Sequence, residues 1–198
     1  MKKPALKIIP VFLTLFLLGA ATSWAQTRVA TVDLRKLFDK YYKTELAQKA
    51  LKERGNDLAA EGTAMREEAK KINDDYRKLL AEANDQALST EIREKRKAEA
   101  ETKLRELRTT EENLVQFERQ ARITLEDQNR RMRNNIIDEI RTVVNGRAKS
   151  AGYSLVIDIS ADSMNATPVV LFASPENDIT EAVLAQINAA APLDIKSR

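Results

Sequence analysis

From Leu37 to Ala83 an apolar or small residue recurs at alternating four- and three-residue steps. The series is Leu37, Tyr41, Thr44, Gln48, Leu51, Gly55, Leu58, Gly62, Met65, Ala69, Ile72, Tyr76, Leu79 and Ala83. That alternation is the stripe of a coiled-coil seam, and it predicts one long helix packed along one face. No proline occurs between Val11 and Thr167, so nothing in the span forces a kink. The first helix is expected from about Asp39 to about Asn84, a rod of roughly 70 Å at ~1.5 Å per residue. Ala83 to Thr90 (ANDQALST) breaks the stripe, with Asn84 and Asp85 as turn formers and Ser89 or Thr90 placed to cap a second helix. The hairpin tip is therefore expected near residues 84–90.

The return helix begins polar. Only Ile92, Ala98 and Ala100 are apolar between Glu91 and Lys103, whereas Leu104, Leu107, Leu114, Phe117, Ala121, Leu125, Met132, Ile136, Ile140 and Val143 restore a stripe towards its end. The rod should be loosely zipped at its tip and better packed at its root. Gly55 and Gly62 lie on the seam, where each costs about 1 kcal/mol relative to alanine. Close approach of the helices and bending of the arm both account for them, and bending is the reading preferred here.

The period then changes. Arg28 to Leu34 (RVATVDL) reads as a short strand leading into the rod, and after Gly146 and Gly152 the residues Tyr153, Leu155, Ile157 and Ile159 alternate with their neighbours as a strand does. Val169 to Ala173 gives another β run, expected to pair with the preceding one as a hairpin. Asp178-Ile179-Thr180-Glu181 has the form of a capping box before a closing helix with Ile179, Val183, Leu184 and Ile187 on one face. The fold class is thus α+β: a small β body, residues 26–38 plus 147–198, carrying a long protruding antiparallel helical hairpin, residues 39–146. Three short strands and one short helix are a small core with open strand edges. Symmetric association would protect those edges while burying Val29, Val32, Leu155, Ile157 and Leu171, so an oligomer is expected.

The first 25 residues read as an export leader. Lys2, Lys3 and Lys7 precede a short apolar run from Val11 to Leu18, and Ser23-Trp24-Ala25 offers small residues for cleavage after Ala25. This reading alters the charge argument. The chain has 33 Lys+Arg against 30 Asp+Glu, and with the three leader lysines removed the remainder is neutral. A neutral chain does not favour a nucleic-acid partner, which requires a basic surface. Arg119, Arg122, Arg130, Arg131 and Arg133 read as a solvated helix face in preference to a phosphate-binding patch, the alternative being a binder of nucleic acid or an anionic surface.

The chain contains no His and no Cys, which removes imidazole acid–base chemistry, thiolate nucleophiles and soft-metal sites. Its five glycines are scattered and form no phosphate-cradling loop. No cofactor and no enzymatic activity are expected.

The order of these segments carries a resemblance. A leader, a strand ending in Val32-Asp33-Leu34, a charged helical hairpin, then GYSLVID (Gly152 to Asp158), VVLFA (Val169 to Ala173) and NDITEAVLAQIN (Asn177 to Asn188) resemble the Skp/OmpH family of periplasmic chaperones across nearly the whole exported chain. The C-terminal segment is the most specific part. The resemblance implies a jellyfish-like homotrimer whose arms enclose a cavity, an ATP-independent holdase for unfolded outer-membrane β-barrel proteins in the periplasm. It also implies weak contact with an anionic membrane or lipopolysaccharide, although family members are often basic and this exported chain is neutral.

A holdase needs many weak contacts, so apolar arm residues are the candidates. Met65, Ile72, Tyr76, Leu79, Leu80 and Leu88 lie in the outer half. Ordinary seam packing is the stronger reading for Met65, Ile72 and Tyr76, while Leu80 and Leu88 fall off the four-three register. The alternative is a periplasmic coiled-coil scaffold or spacer that uses the same rod to separate partners.

Overall fold

The computed structural model describes residues 27–192; the leader and its cleavage point lie outside them. Strand β1 (Val29–Val32) is followed by a short helix α1 (Leu34–Lys40), the outgoing helix α2 (Tyr42–Asn84) and the returning helix α3 (Thr90–Ser150). Strand β2 (Leu155–Asp158), a single 3-10 turn (Pro175–Asn177) and helix α4 (Thr180–Ile187) complete the order.

Each boundary has a local cause. Asp33 caps α1 by accepting from the Lys36 amide at 2.7 Å. Ser89 does the same for α3 through the Ile92 amide. At the far end of α3, Gly152 adopts φ +72°, and the amides of Gly152 and Tyr153 close back on the carbonyls of Lys149 and Ala148. This is the six-to-one and five-to-two closure that glycine permits at a helix terminus. Gly146 does not end the helix; α3 runs through it.

With 43 residues in α2 and 61 in α3, the two helices are about 65 and 90 Å long. The surplus of α3 enters the body, where Ile136, Ile140, Val144 and Ala148 are buried. The seam series faces α3: of its fourteen members only Gln48 is exposed. The outgoing path is nevertheless two helices, not one. It breaks at Tyr41, whose backbone is extended at φ −76° and ψ 124°, although the four-three stripe continues through that residue.

The body differs from the expected arrangement in its strands. β2 pairs in parallel with β1, Val29 opposite Leu155 and Val32 opposite Asp158. The helical hairpin serves as the long crossover that a parallel pair requires. The run Val169 to Ala173 forms no strand. It returns only alongside Ala161 and Asp162, past the end of β2, where the Val169 amide donates to the Ala161 carbonyl and one bridge joins Asp162 to Pro168. Beyond Val169 no further bridge is made among the described residues, and Leu171 and Phe172 are 87% and 86% exposed. The described residues therefore hold two strands where three were expected.

The capping box at α4 is also replaced. Asp178 accepts from the Thr180 amide and hydroxyl, while Glu181 turns outward to Lys36 on α1. One core joins β1, α1, the inner end of α3 and α4 through Ala30, Val32, Leu37, Phe38, Tyr41, Ile136, Ile140, Val144, Ile179, Val183 and Ile187.

Candidate functional site

The arm is the feature with the largest surface and the least packing. Outside the body the described residues hold one further buried apolar cluster, Ala69, Ile72 and Leu107. Between it and the root Leu58 and Gly62 are buried, and the other contacts between the helices are through half-buried side chains. Phe117 lies against Gly62, and Leu125 against Gly55, at distances where an added methyl would make ordinary contact, 3.5 Å and 4.0 Å. Close approach therefore does not demand either glycine. What remains is the lower helix propensity each imposes on the seam.

Ion pairs add to this, two of them across the hairpin and two within α3. Arg66 pairs with Glu118 across the hairpin, Arg96 with both Glu82 and Glu99, and Lys103 with Glu106. All are solvent-exposed to a third or more on at least one side, so each contributes at most about 1 kcal/mol.

The sequence-derived contact candidates fall into three groups. Ile72 is 5% exposed and belongs to the seam. Met65, Tyr76, Leu79 and Leu88 are half-buried, and Leu79 forms one wall of an interhelical groove of about 570 Å³ with Lys95, Ala98, Glu99, Thr102 and Lys103. Leu80 is exposed. Sequence reasoning passed over four other exposed apolar positions on the arm: Leu46, Ile92, Val115 and Ile123, of which Val115 is the most open at 65%. The signal was present, since Val115 and Ile123 lie outside the stripe Leu114, Phe117, Ala121, Leu125.

The candidates for oligomerisation behave differently from one another. Val32 is buried and Val29 half-buried within this one chain, whereas Leu155, Ile157 and Leu171 are exposed. Met164, Val169 and Phe172, in the segment that follows β2, are exposed as well.

At the arm root, Glu139 of α3 accepts from the Tyr41 hydroxyl at 2.8 Å and from Lys43 Nζ at 2.7 Å. The hydrogen bond from Lys43, then that from Tyr41, holds the Glu139 carboxyl below the usual range. The same bond to Glu139 pushes Lys43 up to about 12, and burial, followed by Glu139, raises the Tyr41 phenol. Nearby, the Arg133 guanidinium stacks over Phe38 at 4.9 Å, roofing part of a groove lined by Leu51, Lys52, Leu125 and Met132. Arg119, Arg122 and Arg131 are exposed; Arg130 pairs with Asp127.

A profile of the family described as outer membrane protein (OmpH-like) matches residues 28–187. The chain belongs to that family. No curated protein matches it. The OmpH-like match begins at β1 and ends with α4, so body and arm are both family features. OmpH-like proteins are periplasmic chaperones of outer-membrane proteins, generally without enzymatic activity, and membership gives this chain that general role. Among the described residues no helix is long and apolar enough to cross a membrane.

Proposed function

We infer that the protein is exported with cleavage after Ala25, assembles as a homotrimer, and acts as an ATP-independent holdase that receives unfolded outer-membrane β-barrel proteins in a cavity between its arms. The observation that carries this reading is the arm's surface: isolated exposed apolar side chains, Leu46, Leu80, Ile92, Val115 and Ile123, set among charged residues on two thinly packed helices. An unfolded barrel strand offers apolar residues at every second position and unpaired backbone edges, and it aggregates through both. Single leucine- or valine-sized contacts are each weak, but a chain enclosed by several arms meets many of them at once. Retention then comes from number, and release needs no nucleotide because no one contact is tight.

The uncovered body surface supports self-association. Leu155, Ile157, Leu171, Phe172 and Met164 lie exposed near a strand edge, a combination that oligomerisation relieves. Contact with lipopolysaccharide or an anionic membrane remains the least supported partner, because the exported chain is neutral.

The test is native mass spectrometry of the mature chain after a urea-unfolded outer-membrane barrel protein is diluted into it without nucleotide. A trimer carrying one client is the expected result. A trimer that leaves the client to aggregate favours a periplasmic spacer or scaffold, and a monomer overturns the assembled body. Replacing Val115 and Ile123 together by serine should weaken client retention while changing stability by less than about 0.5 kcal/mol per site, as exposed positions do.

A further inference from the structure

Among the backbone groups that the break between α1 and α2 leaves without their helical partners are the Lys40 carbonyl and the Tyr42 amide. Tyr41, at the N-terminus of α2, contributes no side-chain cap. Both groups are met by one residue of the C-terminal segment. The Asn188 Oδ1 accepts from the Tyr42 amide at 3.0 Å, and its Nδ2 donates to the Lys40 carbonyl at 2.8 Å. A primary amide has a donor and an acceptor side by side and can replace a peptide group in this way. Asn188 is itself fixed at the end of α4 by its amide bond to the Leu184 carbonyl. From the other side, Tyr41 is tied to Glu139 of α3, which Lys43 also holds.

Nothing in the local sequence requires this break. There is no proline or glycine between Val32 and Gln48, and the apolar stripe runs through Leu37, Tyr41 and Thr44 without a fault. A continuous helix from α1 into α2 would satisfy the Lys40 carbonyl and the Tyr42 amide internally, at the expense of both Asn188 bonds and the Tyr41 bond. Two arrangements of one segment thus compete, and distant groups decide between them. Meanwhile α3 passes unbroken from tip to body, so α3 is the pivot and α2 is the side that must be held.

We propose that Asn188, Tyr41 and Glu139 form a clamp that fixes the pitch of the arm on the body, so that the C-terminal helix governs where the arm points. The clamp belongs to the chain whether or not the arms receive a client. It gives α4 a role beyond closing the core: any contact that shifts α4 changes the hold on α2.

The chain has no cysteine, so pairs of spin labels can be placed cleanly. Labels at Glu91→Cys near the tip and Ala185→Cys on α4, both exposed, report arm pitch by pulsed dipolar spectroscopy on the full exported chain, diluted with unlabelled copies. Asn188→Ala is expected to shift and broaden the distance distribution, with Tyr41→Phe broadening it less. Lys36→Ala, which removes the separate α1–α4 ion pair, should leave it unchanged. An unaltered distribution in a folded Asn188→Ala chain overturns the clamp, and so does equal broadening by Lys36→Ala. Should Asn188→Ala fail to fold, Asn188→Asp, which keeps the acceptor and loses the donor, and Tyr41→Phe decide the matter: no change in either overturns it.

Discussion

The body and the arm are built from one chain by opposite means. In the body, residues from four elements interlock, and Leu37, Ile140 and Val183 lose essentially all contact with solvent. In the arm, two helices meet along a single line, and its buried cluster contains three residues. The body is therefore cooperative and intolerant of change. The arm is locally stabilised, shaped by propensity and charge, and can bend or fray while the body stays intact. On the function proposed above, this division would let the compliant part of the molecule be the part that meets the client.

Substitutions can press on this contrast from either side. The largest effect is expected at Ile140→Ala, which opens a cavity where four elements meet; a loss of about 3–5 kcal/mol should appear in urea unfolding as a lower midpoint for the whole body. Ile72→Ala removes a side chain of similar size from the arm seam, where helices can close and water can enter. Its loss should fall near or below the lower end of the range, about 2 kcal/mol, and hydrogen exchange should rise in the arm alone. Equal losses at both sites, or a spread of the Ile72 effect into the body, would erase the distinction.

Gly62→Ala tests the arm in the stabilising direction. Because the new methyl would meet Phe117 at an ordinary distance, helix content and arm protection should rise by about 0.5–1 kcal/mol. A destabilised Gly62→Ala arm would instead restore close approach as the reason for that glycine.

The smallest effect concerns the boundary between the two regions. Glu139, with its carboxyl depressed below the ordinary 4.5, contributes stability that is full above that value and fades as pH falls through its lower folded value. Lys43, raised from 10.5 to about 12, contributes fully below 10.5 and is lost as pH rises through about 12. Comparing Glu139→Gln with the parent across pH should show a small difference in melting temperature that is constant between these limits and shrinks beyond both. Lys43 and Glu139 are each nearly half exposed, so salt should reduce it further.

What the sequence could disclose follows the range of the interactions. The seam from Leu37 to Ala83 and the Ser89 cap depend on residues within a few positions of each other, and they are legible for that reason, whereas the arm expected to end at residue 146 continues in α3 to Ser150. The break at Tyr41 is invisible locally, because its partners are Asn188 and Glu139 on other elements. The strand pairing misleads for a related reason: Val169 to Ala173 has β-forming residues and a preceding turn, yet the partner of β2 is β1, far earlier in the chain, and the returning segment bridges only at Asp162 and Pro168. Of the contact candidates, Leu80 is exposed because it leaves the register, and the same rule applied to α3 would have found Val115 and Ile123. Ile72 followed the register and is buried.

The parallel pairing of β1 with β2 also sets an order of events in the making of the protein. Arg28 waits for Ser154 and Lys40 for Asn188, separations of 126 and 148 residues, so an amino-terminal strand that is synthesised first has nothing to pair with until the whole arm has followed it, and the join to α4 comes later still. The arm's helices form from near neighbours and can fold as they appear, whereas closing so long a loop delays the body. The body is thereby completed last, and a product truncated before α4 would keep the local contacts of the arm while losing Ile179, Val183 and Ile187 from the core.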